Sequence, residues 1–133
     1  MRRQAREIAL QILFQTEYAP QISTDEAQSL FDEKKEATVI KYSDEIVSGV
    51  LAQKEKIDLK IQEASHHWKI ERMGGVDRNI LRLAVFEMFY AHELVEPKIA
   101  INEAIEIAKI FGSKESSAFI NGLLDQIVRN ESN

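Results

Sequence analysis

The stretch Trp68–Tyr90, WKIERMGGVDRNILRLAVFEMFY, decides the fold. From Ile80 onward its apolar residues leave almost no polar face, and a helix that is oily nearly all round must be covered by neighbours. The Gly74-Gly75 pair breaks the chain just ahead, because glycine loses the most entropy on becoming helical. Asp77 offers an oxygen to the free amides of a new first turn, which predicts a central helix from Asp77 to about His92.

Working outward toward the N-terminus, Ala5, Ile8, Ala9, Ile12 and Leu13 recur at helical spacing and predict a helix from Arg2 to about Tyr18. Arg2, Arg3 and Arg6 lie off that apolar face in this reading, and Arg2 and Arg6, one turn apart, repel unless an anion sits between them. Phe14 is also surplus to the face; an aromatic near cations suits a nucleobase. Pro20 ends the helix, and Ser23 with Glu26 has capping-box spacing for a short acidic helix from Thr24 to Lys34 burying Ala27, Leu30 and Phe31. A third helix, Thr38 to Lys54, carries Val39, Tyr42, Ile46, Val47, Val50 and Leu51, with Gly49 marking a close approach. A fourth, weaker helix from Lys56 to His67 presents Ile57, Ile61 and Ala64, and Trp68 is expected to lid the core.

Toward the C-terminus, Glu96-Pro97 sets a turn into a helix with a narrow stripe of Ile101, Ala104, Ile105 and Ala108. Lys109 suits the negative end of that helix, and Gly112 reads as a left-handed stop. Ser113 is expected to cap a last helix built on Phe119, Ile120, Leu123, Leu124, Ile127 and Val128, which Asn121-Gly122 interrupts. No stretch alternates with period two. The architecture is therefore all-α, about seven helices, with sub-bundles expected at roughly 1–67 and 68–133.

Composition narrows the function. A chain of 133 residues is long enough to bury about two-thirds of its unfolded surface. It has no cysteine, which removes disulfides and thiolate chemistry and fits a reducing cytoplasm. No run reaches the roughly 20 apolar residues of a membrane span, and Glu7, Gln11 and Gln15 spoil any export signal. A net charge of -5 argues against bulk attraction to nucleic acid but allows a local basic patch. His66 and His67 are adjacent, so their side chains diverge by about 100° and cannot share one metal. Asn102-Glu103 with Glu106, and Glu87 with Arg82, are the nearest approach to acid–base sets, and carboxylates on wet helix faces are ordinary. Neither catalysis, a metal nor a cofactor is expected. Binding is the better class, with Arg2, Arg3 and Arg6, joined by Lys109 and Lys114, on phosphates and Phe14 and Phe119 on bases.

The last third is more specific. Val76-Asp77-Arg78, Ile99–Lys109 (IAINEAIEIAK), Phe111-Gly112 and Phe119–Asp125 (FINGLLD) resemble the transcription antitermination factor NusB family. The opening, Arg2-Arg3-x-Ala5-Arg6 through Leu13-Phe14, matches that family too, so the resemblance covers essentially the whole chain and is weakest from Ala19 to Lys60. It implies two three-helix bundles packed at a large angle, and a partnership with NusE, a small-subunit ribosomal protein. The pair is expected to bind boxA of nascent ribosomal RNA and help build the antitermination complex on RNA polymerase. Position by position, Arg2, Arg3, Arg6, Phe14, Phe119 and Asn121 fall on RNA-contacting positions, and Glu71 and Asp77 on positions facing the basic partner. Gln4 within the arginine cluster and Phe14 in place of the usual tyrosine fit an adaptor that relies on a second subunit. Two other readings remain: the RNA-binding module of a ribosomal RNA cytosine methyltransferase, whose further domain carries a catalytic cysteine, and a helical self-association module, possible as a homodimer that masks the arginine face.

Overall fold

In the computed structural model of the protein, residues 2–32 and 35–132 are described, without the side chains of residues 31 and 32. Seven α-helices follow one another: α1 Arg2–Tyr18, α2 Thr24–Asp32, α3 Ala37–Ala52, α4 Lys54–Ala64, α5 Gly75–Phe89, α6 Pro97–Phe111 and α7 Ser116–Ser132. A 3-10 turn at Ile70–Arg72 leads into α5, and no strand occurs among the described residues. The all-α expectation holds. The expected burial of Phe31 and the expected end of α2 at Lys34 lie outside the described residues.

The central helix is α5, every residue of which from Arg78 to Met88 is buried. It packs against α1, α3, α4, α6 and α7. The expected boundary at 67/68 falls between α4 and α5, although α4 packs chiefly on α5 and α7. Ile12, Leu81, Val85, Ile107, Ile120 and Leu124 meet in one continuous core, each burial of that size contributing about 1.5–3 kcal/mol.

Local expectations hold where sequence chemistry alone decides them. The Glu26 amide donates to Ser23 Oγ at 3.1 Å, closing the predicted cap of α2. Pro97 takes the first position of α6, where its missing N–H costs nothing. Gly49 does mark a close approach: a methyl there would overlap the Phe86 ring of α5.

Others are corrected. The central helix begins at Gly75 with Gly74 as its cap and stops at Phe89, so Asp77 is inside the first turn rather than capping it. A Cβ at Gly75 would meet the end of the Tyr18 ring at 2.6 Å, so glycine lets that ring lie against the first turn of α5. Gly112 is not left-handed (φ -94) but is still required, since a Cβ would press on Ser116 and on the Ala108 carbonyl. Ser113 does not cap α7; its amide instead donates to Ser116 Oγ at 2.9 Å. Leu30 (70% exposed) and Trp68 (58%) are surface residues, and Leu51 is also exposed, so Trp68 is not a lid. Periodicity marks a face, and at the ends of short helices that face runs past the neighbour meant to cover it.

Candidate nucleic-acid interface

The first turn of α1 holds three arginines in three different environments. Arg6 is buried at 4%, which overturns its expected place off the core face; only its tip reaches the cleft that Arg2 and Arg3 line. Its Nε donates to Glu87 Oε1 at 2.7 Å and its Nη1 to Glu103 Oε1 at 3.3 Å. Glu87, itself 1% exposed, also accepts the Tyr42 hydroxyl. Burial first, and then the Glu87 carboxylate, push the Tyr42 phenol up to about 12. Arg2 lies over the Tyr42 ring, 4.6 Å from its centroid, with Arg6 at 5.9 Å, so a ring and a carboxylate separate the two like charges.

Arg3 is about half exposed and grips Glu103 with two bonds, Nε to Oε1 at 2.9 Å and Nη2 to Oε2 at 2.7 Å. The bonds from Arg3 hold the Glu103 carboxyl below its ordinary range. The side-on grip leaves the end-on edge of the guanidinium available to an anion. Arg2, Arg3 and the edge of Arg6 line one open cleft with Leu94, Ile99 and Glu103, bounded by Glu93 and Glu96. Its charges nearly cancel, which limits what this cleft can attract by itself.

Phe14 stands further along α1, 36% exposed and stacked on Tyr18 with centroids 4.6 Å apart. Phe111, at the end of α6, lines the same hollow. Lys109 is exposed but paired with Glu106 at 2.9 Å, and Lys114 is exposed in the link to α7. On α7, Phe119 leans on the core while Asn121 is exposed. Two residues apart on a helix, they point about 200° away from each other and do not share a face. Glu71 is exposed on the 3-10 turn, whereas Asp77 is half-buried and accepts Ser116 Oγ at 2.6 Å, tying α5 to α7.

A second set of buried charges escaped the sequence reading. Glu17 of α1 accepts from Arg78 at 2.7 and 3.0 Å and from Arg82 at 2.9 Å, and Arg82 also grips Asp58 of α4 at 2.8 and 3.0 Å. Arg82 therefore pairs with Asp58 and Glu17, and Glu87 with Arg6 and Tyr42, so Glu87 and Arg82 are not partners and Glu87 is not on a wet face. Burial raises the Glu17 carboxyl, but Arg78 and Arg82 outweigh it and hold it at about 2 against an ordinary 4.5. A depressed carboxyl contributes stability that is fully present above about pH 4.5 and lost as pH falls toward 2. Allowing for solvent around this half-buried carboxylate, about 1–2 kcal/mol is expected to vanish over that window. Thermal melts between pH 7 and pH 2 check this; Glu17→Gln should flatten that part of the profile.

Among the described residues no group of three or more histidines and carboxylates is placed to hold a metal ion, and no helix is long and apolar enough to cross a membrane. Fold and surface together define a class: an all-helical protein that spends most of its polar chemistry on joining helices and keeps cations and rings on the open side of α1. The chain belongs to the NusB family, whose model matches residues 3–129. It is 57% identical over 126 residues to the transcription antitermination protein NusB of Bdellovibrio bacteriovorus, covering 95% of this chain and 93% of that one. The Myxococcus xanthus protein of the same name is 41% identical over 131 residues, with 95% and 93% covered. Among solved structures, T. maritima NusB superposes with a TM-score of 0.86 at 30% identity over 97% of this chain and 91% of that one. A structure of the antitermination factors NusB and NusE in complex with dsRNA gives 0.85 at 25% identity, covering 97% and 96%.

Proposed function

We propose that this protein is an RNA-binding antitermination adaptor of the cytoplasm: with NusE it binds boxA-type RNA of nascent ribosomal transcripts and helps assemble the antitermination complex on RNA polymerase. The observation that carries the reading is the open α1 surface of Arg2, Arg3 and Phe14 on a chain similar to a NusB solved together with NusE and RNA. Glu71, exposed on the 3-10 turn that leads into α5, offers a basic partner an acidic foothold, with Asp77 further on in the first turn of that helix. Lys114 and Phe119 extend the RNA-facing proposal toward α7, whereas the buried Arg6 acts by fixing the first turn through Glu87.

The near-cancellation of charge around Arg3 implies weak RNA binding by the free chain. A second basic subunit on the same RNA raises affinity without new contacts in this one, by about a hundredfold or more. Fluorescence anisotropy of a labelled boxA-type RNA, with and without NusE, checks this, and no gain on adding NusE would count decisively against the reading. Arg2→Ala with Arg3→Ala should weaken binding by the pair across RNA sequences and reduce the salt dependence by about one to two phosphates. Light scattering in the same titration separates a masking homodimer, which RNA would dissolve, from a permanent one.

A further inference from the structure

Glu103 holds Arg3 in the geometry that a phosphate would use. The carboxylate reaches from α6 to the first turn of α1 and takes two bonds from one guanidinium, Nε to Oε1 at 2.9 Å and Nη2 to Oε2 at 2.7 Å. Carboxylate and phosphate oxygens fit the arginine fork alike, which makes them rivals for it. The pair lies on the open cleft, with the Arg3 side chain 48% exposed and that of Glu103 19%. An ion pair so exposed contributes little to folding, and the buried Arg6–Glu87 bond at 2.7 Å already fastens this turn. A clamp between α1 and α6 does not need it. A second cation stands behind the pair. Arg6 Nη1 reaches Glu103 Oε1 at 3.3 Å, longer than a charged bond at its best. When Arg3 turns away, the carboxylate therefore keeps a partner. The bonds from Arg3, and behind them the charge of Arg6, keep the Glu103 carboxyl below its ordinary range, so it stays ionised near neutral pH.

We infer that Glu103 is the protein's own competitor for RNA at Arg3: an arriving phosphate takes the end-on edge of the guanidinium first, then the fork, and Glu103 passes to Arg6. This regulation of the site rests on the RNA-binding reading above and adds Glu103 to it. Because the exchange replaces one anion by another on the same cation, the turn adds little net attraction of its own. An RNA that meets only this turn is therefore held weakly, and tight binding requires contacts made elsewhere on the same strand, as a second subunit supplies them.

The experiment uses the full chain paired with NusE, a labelled boxA-type RNA and a salt series, at a temperature where thermal melts show every variant folded. Glu103→Gln should tighten binding about three- to fivefold and steepen the salt dependence by about one phosphate. Its thermal midpoint should fall by less than about 4 °C. Glu96, exposed on the same cleft, supplies the control. Glu96→Gln removes the same charge without releasing the Arg3 fork and should alter binding less than about twofold. In an Arg3→Ala background, Glu103→Gln should add nothing. Equal gains from Glu96→Gln and Glu103→Gln, or a gain that survives the loss of Arg3, would overturn the inference in favour of the cleft's overall field. Unchanged or weaker binding by Glu103→Gln would overturn it too, and a large fall in the midpoint beside that result would make the pair a structural clamp. The RNA-binding reading stands in each of these cases. Absence of RNA binding by the unaltered pair would overturn both.

Discussion

Glu87→Ala is expected to cost about 3–5 kcal/mol of folding stability, a fall of about 10–20 °C in the thermal midpoint for a chain of this size. The carboxylate is 1% exposed and takes bonds from Arg6 and Tyr42, so its removal strands a guanidinium that is itself only 4% exposed. Glu103 stays within 3.3 Å of Arg6, but it is already engaged twice by Arg3 and cannot compensate fully. The cost comes from the uncompensated charge more than from the lost bonds. Arg6→Met combined with Glu87→Leu should therefore recover most of it, because replacing both members of a buried pair by apolar groups is often neutral. Thermal and urea unfolding of the single and double variants check this; a loss below about 1 kcal/mol for Glu87→Ala would show that the pair is not what fixes the first turn of α1.

How much of this was legible beforehand varies with the kind of interaction. Helix spans such as Arg2–Tyr18 follow from periodicity, because a repeating apolar face reports its own burial, and the Ser23 cap follows from a local spacing. The candidate site was legible as residue types. Arg2, Arg3 and Phe14 are on the surface as expected, while Arg6 is not, since nothing in its spacing reveals a carboxylate 81 positions away. A signal was nevertheless present. A helix with no wet face still contains Arg78, Arg82 and Glu87, and charges with nowhere to meet water must find partners inside. Their partners, Glu17, Asp58, Tyr42 and Arg6, come from three other helices, and pairing across such distances is decided by topology. Trp68 fails for the converse reason: a large apolar ring predicts burial on average, but this one, in the link after α4, is left 58% exposed.

Arg78→Ala is expected to cost about 3 kcal/mol and, although the residue is 93% hidden from solvent by its 7% exposure, to weaken pairing with NusE as well. The guanidinium donates to the carbonyls of Ile70 at 3.2 Å and Met73 at 2.6 Å while its other edge holds Glu17. It thus fastens both ends of the 3-10 turn that carries Glu71 to α1 and α5 at once. Without it, the turn loses two of its anchors and the acidic foothold proposed for NusE is no longer held in one place. Glu71→Ala should do the opposite: it leaves the melting temperature near that of the unaltered protein, because the side chain is exposed, and weakens pairing alone. Arg78→Lys should fall between, since an ammonium cannot serve two carbonyls and a carboxylate in the fork geometry of a guanidinium. Calorimetric titration with NusE at a temperature where every variant is folded, beside thermal melts, separates the two effects. If Arg78→Ala pairs with NusE as tightly as the unaltered protein does, the turn is held only for stability and the partner's surface lies elsewhere.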